Sequence, residues 1–178
     1  MNKKKNFNIA IVGLGNIGSS LYKHLIKNRE SIKKKTNANL VVKYVSVKNR
    51  QKKRKINIPR NKWLKNYTEA YKRPDIDVVV ELIGGSDGAA KNLVFNCIKN
   101  KKHVVTANKA LISKHGDELS KIAEKKKVNL EFEAAVAGGV PIIRVIKEGL
   151  ITNKINKIYG ILNGTSNYIL SKMFERNM

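Results

Sequence analysis

The chain has 178 residues, 42% of them hydrophobic, enough for one packed domain and the opening of another. Its formal charge of +24 comes from 37 lysines and arginines against 13 acids, and its single cysteine, Cys97, excludes an internal disulfide framework and any cysteine-based metal cage. No run of about 18 apolar residues occurs, and "MNKKKNFNIAIVGLG" passes from lysines straight into a glycine turn instead of a cleavable signal. These features predict a cytoplasmic chain with no membrane span.

The basic residues fall at 3–5, 33–35, 52–55, 99–102 and 125–127, mostly between apolar segments and with few aromatic residues on which bases could stack. Solvated loops and helix faces explain this spacing better than a nucleic-acid groove. The dense stretch "KNRQKKRK" at 48–55 keeps a basic nucleic-acid-binding protein as one alternative. Cys97 lies among Val94, Phe95 and Ile98 and reads as a buried thiol.

In chain order, "NFNIAIVGLGNIGSSLYKHLIKN" gives an apolar run, a glycine break, and then Ile17, Leu21, Leu25 and Ile26 near helical spacing: strand, tight turn, helix. "LVVKYVSV" at 40–47 is a second strand and "DVVVELIGG" at 77–85 a third, fully buried one. A helix follows over 88–102, then the short strand "HVVTA", a helix over 116–127, and the strand "VNLEFEAAV". This alternation predicts an α/β fold, a Rossmann-like doubly wound parallel sheet covered on both faces and joined by right-handed crossovers.

The pattern changes at "AVAGGVPII", 135–143. Two glycines and a proline there divide the chain into a nucleotide-binding domain, 1–134, and the start of a second, incomplete α+β domain, 135–178. "PIIRVIKEGLI" can open a helix with Pro141 in its first turn, "INKIYGILNG" has strand character, and "TSNYILSKMFERNM" carries Tyr168, Ile169, Met173 and Phe174 on a helix.

"GLGNIG" is the dinucleotide fingerprint in its strand-turn-helix setting, formed by Gly13, Leu14, Gly15, Asn16, Ile17 and Gly18. Gly13 permits the tight turn, Gly15 lets the backbone approach a diphosphate, and Gly18 permits close packing of helix on strand. The amides at the helix start then attract the anion. An acid at the end of the second strand would bond the ribose 2′-hydroxyl of NAD, but "VSVKNRQKKRK" has none. Lys48 and Arg50 suit a 2′-phosphate instead, which favours NADP(H) over NAD(H).

Five segments, "IAIVGLGNIG", "VVELIGG", "KHVVTANKALI", "EFEAAVAGGVPIIR" and "GILNGTSNYIL", stand in the order and at the approximate spacing of the homoserine dehydrogenase family, which the chain resembles from about residue 7 to 175. The resemblance implies an NADP-dependent oxidoreductase that interconverts aspartate 4-semialdehyde and homoserine, a step toward threonine and methionine. It also implies that Lys109 is the active-site lysine, whose ammonium stabilises the negative charge that hydride delivery leaves on the aldehyde oxygen. Without the resemblance Lys109 reads as one more surface lysine.

The resemblance further implies that Thr106, Asn108, Lys109 and Gly84 border the coenzyme. The "EAAVAGGV" loop resembles a sodium site, with the carboxylate of Glu133 and the carbonyls of Val136, Gly138 and Val140 as ligands. Glu133 reads equally well as a solvent-facing residue beside the hinge. Gly164 and Thr165 match residues that contact the amino-acid substrate, and Thr165 also fits a helix N-cap.

Complete members of the family continue into acids and a second lysine that have no counterpart here, and they form homo-oligomers. The sequence therefore points to a fragment with impaired turnover, with a non-catalytic NADP-binding module as the alternative.

Overall fold

A computed structural model describes residues 5–161 and 163–178. The sheet holds five parallel strands in the order β2-β1-β3-β4-β5: β1 (Lys5–Val12), β2 (Ala38–Ser46), β3 (Val78–Glu81), β4 (His103–Thr106) and β5 (Leu130–Glu131). Between β1 and β2 run α1 (Asn16–Lys27) and α2 (Arg29–Thr36), and α3 (Glu69–Lys72) precedes β3. Helix α4 (Ala89–Lys99) connects β3 to β4, and α5 (Lys109–Lys126) connects β4 to β5.

Alternation along β1 sends its side chains to two cores. Ile9 and Ile11 pack with Leu14, Tyr22, Val42, Val45 and Val80 on the α1 side. Ala10 and Val12 face Leu93, Val94, Cys97 and Ile98 of α4 and Leu111 and Leu119 of α5, joined by Val79 and Val104. Each such fully buried aliphatic side chain contributes about 1.5–3 kcal/mol. Cys97 is wholly buried, as its neighbours predict, and burial pushes its thiol pKa up. On the α1 side β4 has little cover, and Val105 is 37% exposed.

The chain leaves β1 toward β2 and returns across the sheet to β3, so strand order reverses between β1 and β3. Ligands of open α/β sheets bind at the carboxyl ends of the strands beside such a reversal.

Several expectations need correction. β3 is four residues, not nine, because the Glu81 side chain accepts the amides of Ile83 and Gly84 and turns the backbone out of the ladder. The strand expected over 128–136 pairs only at Leu130–Glu131 and passes into a 3-10 turn, Glu133–Ala135. Helix α5 starts at Lys109, seven residues ahead of the expected start at 116, because the Asn108 side chain caps it through the Leu111 amide at 3.1 Å. Gly116 lies inside this helix, not at its edge.

After Pro141, α6 (Ile142–Arg144) continues into a π-helical turn, Val145–Gly149. Among the described residues the segment expected as a strand at 155–164 joins no ladder, and its Leu162 lies outside them. The final helix forms as expected, α7 (Gly164–Glu175), but its N-cap is Asn163, which accepts the Ser166 amide at 2.9 Å, and not Thr165.

Candidate functional site

The strand register builds the site. Val12 pairs with Glu81 and Glu81 with Thr106, so the last residues of β1, β3 and β4 form one row at the carboxyl edge. The turns that follow them, at Gly13, at Leu82 to Gly85 and at Ala107 to Lys109, therefore stand side by side across two strand spacings, about 10 Å.

The first turn has the form the fingerprint predicts. Gly13 has φ +103, and a Cβ there would stand 2.3 Å from the Leu82 carbonyl oxygen. A Cβ on Gly18 would stand 2.0 Å from the Gly13 carbonyl oxygen. At Gly15 nothing lies within 4 Å, and Gly15, Asn16 and Ile17 are exposed. Among the described residues no side chain caps α1 and no acid stands in its first turn, so its leading amides remain available to an anion. The turn is pinned at the Leu14 carbonyl, which accepts from Ser19 Oγ at 3.2 Å and from Arg54 Nε at 3.2 Å, and at Gly13, whose amide donates to the Ser46 carbonyl at 2.9 Å.

The basic stretch after β2 divides into two roles. Arg54 bonds the carbonyls of Leu14, Lys52 at 2.8 Å and Asn49 at 2.8 Å, strapping the loop to the glycine turn. Arg50 stacks its guanidinium 5.2 Å from the centroid of Trp63, and Lys48 and Arg50 are exposed. The loop thus holds its cations beside the end of β2, with Arg54, unnoticed in the sequence, nearest the cradle.

The second and third turns are joined. Gly84 and Gly85 take φ +87 and +82, values that favour glycine. Asn108 Nδ2 donates to the Gly85 carbonyl at 2.7 Å, while the Asn108 amide donates to Thr106 Oγ1 at 3.0 Å. Thr106 Oγ1 in turn donates to Glu81 at 2.5 Å. Lys109 is the first residue of α5 and is exposed at this edge.

A second tie lies farther out. Asp87, in the loop after Gly85, accepts from Lys114 Nζ at 2.7 Å and from Ser86 Oγ at 2.7 Å and contacts His115 Nε2 at 3.1 Å. The Lys114 ammonium, the Ser86 hydroxyl and His115 hold the Asp87 carboxyl well below the usual carboxylate range. Because the aspartate stands between serine and histidine, the trio is a clamp on α5 and not a nucleophilic triad.

At the expected sodium loop, both Glu133 oxygens accept backbone amides, from Ile143 at 3.0 Å and Arg144 at 2.8 Å. Glu133 therefore caps the start of α6. Val136 is half-buried, Gly138 and Val140 are exposed, and among the described residues no group of three or more His, Cys, Asp or Glu is placed to hold a metal. Gly164 and Thr165 open α7, a helix that buries no residue.

Sequence reasoning missed Glu81, Arg54 and Asp87 as site-building residues. Glu81 carried a signal, an acid directly after three valines of a buried strand; Arg54 and Asp87 looked like ordinary loop charges.

With this geometry in place, comparisons identify the family. A model of the homoserine dehydrogenase NAD-binding domain matches residues 13–133, and a homoserine dehydrogenase model matches 141–178. A homoserine dehydrogenase of Neisseria gonorrhoeae is 44% identical over 97% of this chain and 39% of its own length, and one of Bacillus subtilis is 38% identical over 96% and 39%. The crystal structure of a homoserine dehydrogenase from Thiobacillus denitrificans superposes with a TM-score of 0.85 at 41% identity, over 98% of this chain and 40% of that one. The chain thus spans about two fifths of the length of the relatives it matches. The glycine cradle, the parallel sheet and both matching segments place this chain in the homoserine dehydrogenase family.

Proposed function

We propose that the chain builds the coenzyme half of a homoserine dehydrogenase site, taking NADP(H) in the turns at the ends of β1, β3 and β4. On this reading the enzyme interconverts aspartate 4-semialdehyde and homoserine, within threonine and methionine biosynthesis. One observation carries the proposal: Gly15 is open to solvent between two glycines that have no room for a side chain, at the uncapped start of α1. That combination suits a diphosphate approaching bare amides.

The bound nicotinamide would supply the hydride. The residues of the chain do the rest. The Gly13–Gly18 turn fixes the diphosphate, and the cations of 48–55 favour a 2′-phosphate over a bare ribose hydroxyl. The Lys109 ammonium stabilises the alkoxide that forms from the aldehyde, an effect of about 100-fold to 10,000-fold in rate. Gly164 and Thr165 contribute to the amino-acid site.

A boundary near residue 134 divides the two functions, supported by the end of the sheet at Glu131 and by the exposure of most residues after Ala137. A sodium ion at Glu133 would use the lone pairs left over from its two capping bonds, with the carbonyls of Val136, Gly138 and Val140. Its role would be to stiffen the hinge. The exposed Tyr168, Leu170 and Phe174 of α7 fit a surface covered in a homo-oligomer. Among the described residues no helix is long and apolar enough to cross a membrane.

Titration of nicotinamide fluorescence with the 178-residue chain tests the coenzyme assignment. NADPH should bind at least about tenfold more tightly than NADH, and Arg50→Ala should narrow that gap. Equal binding of both coenzymes by both proteins would remove the phosphate argument, and no binding of either would remove the cradle.

A further inference from the structure

Glu81 is a carboxylate with no solvent exposure, yet among the described residues it makes no ion pair. Burying such a group is costly unless its oxygens are fully engaged. Neutral donors engage them here: the Ile83 amide at 2.7 Å and the Gly84 amide at 3.2 Å on Oε1, and the Thr106 hydroxyl at 2.5 Å on Oε2. Two of these donors lie in the turn after β3, and the third, Thr106, ends β4.

The bond to Thr106 reaches further. Thr106 Oγ1 donates to Glu81 and accepts from the Asn108 amide at 3.0 Å. The Asn108 side chain then holds both the Gly85 carbonyl and the Leu111 amide, fixing the glycine pair against the start of α5, where Lys109 stands. One buried carboxylate thereby sets two turns in mutual register, and the Gly13–Gly18 turn makes none of these bonds.

We infer that Glu81 is a positioning residue that shapes the nicotinamide half of the coenzyme site through Thr106, leaving the diphosphate and adenylate half to the glycine turn. This rests on the proposed NADP(H) assignment. A carboxylate suits this position because both of its oxygens accept hydrogen bonds. Glutamine has the same shape but accepts at one end only, so it turns a donor either toward the Ile83 and Gly84 amides or toward Thr106, and in the second case the buried Thr106 hydroxyl proton loses its acceptor.

The test compares NADPH with 2′,5′-ADP, which lacks the nicotinamide half, on the 178-residue chain. Glu81→Gln should weaken NADPH about tenfold while 2′,5′-ADP stays within about twofold. Thr106→Val should behave as Glu81→Gln does, and Thr106→Ser, which keeps the hydroxyl, should recover most of the NADPH affinity that Thr106→Val loses. The Thr106 pair decides the matter if Glu81→Gln does not fold, as judged by near-ultraviolet circular dichroism. A parallel loss of both ligands would reduce Glu81 to a general stabiliser, and unchanged NADPH binding, or Thr106→Ser as weak as Thr106→Val, would also overturn the inference. Failure of the unmodified chain to bind 2′,5′-ADP would instead sink the underlying coenzyme assignment.

Discussion

Gly18 rests directly on Gly13: a β-carbon at Gly18 would stand 2.0 Å from the Gly13 carbonyl oxygen and 3.0 Å from its carbonyl carbon. The obstacle is backbone, so the helix itself must move. Gly18→Ala should therefore lower stability by about 1–3 kcal/mol, while Gly15→Ala, with open space around it, should leave the melting temperature unchanged and weaken NADPH. Thermal melts with coenzyme titrations separate the two effects. A stable Gly18→Ala chain would contradict the close packing.

Asn108 and Asn163 cap their helices in the same way, through Leu111 and Ser166 respectively. Only Asn108 is buried, and only it also bonds Gly85. Asn108→Ala should cost about 1–2 kcal/mol in urea unfolding, near the upper range for a cap. Asn163→Ala should leave the unfolding midpoint unchanged, because α7 buries no residue against the rest of the chain.

Arg54 spends three of its donor groups on carbonyls, including that of Leu14 in the glycine turn. Arg54→Met keeps most of the aliphatic volume and removes those bonds. Proteolysis within 48–55 should become faster and NADPH affinity should fall by about threefold to tenfold. An unchanged cleavage rate would show that the strap does not hold the loop.

Asp75 supports the pH prediction. Burial alone would raise its pKa, but bonds from Lys43 at 2.9 Å, Arg73 at 3.1 Å and Tyr44 at 2.8 Å outweigh it and hold the carboxyl well below the usual carboxylate range. A folded-state pKa below the unfolded one, about 4, means that the stabilisation is complete above that value and fades as pH falls toward the lower folded one. Asp75→Asn should cost about 1 kcal/mol at pH 7, and its deficit should shrink below about pH 4. A deficit that stayed constant down to pH 2 would contradict this assignment.

Elements whose side chains alternate or recur with a clear period were legible in the sequence: β1, β2, α1 and α4 form close to where their apolar residues predict. Boundaries set by one polar side chain were not. Asn108 extends α5 toward Lys109, and Glu81 cuts β3 short, through hydrogen bonds that no periodicity reveals. Helices α2 and α3 escaped notice because neither carries an apolar stripe long enough to read. In the site, Gly13, Gly15 and Gly18 were legible because glycine has few reasons to recur at that spacing. The Leu14 carbonyl that Arg54 bonds lies 40 residues away in sequence, and Lys114 and His115 lie 27 and 28 residues from Asp87, so these roles required the fold.

A crystal structure of the chain with NADPH bound is the most direct measurement. The diphosphate should accept from the amides at the start of α1, and the nicotinamide should lie along the Gly84–Gly85 turn within reach of the Lys109 ammonium. A diphosphate seated away from Gly15, or a nicotinamide remote from Lys109, would contradict the account.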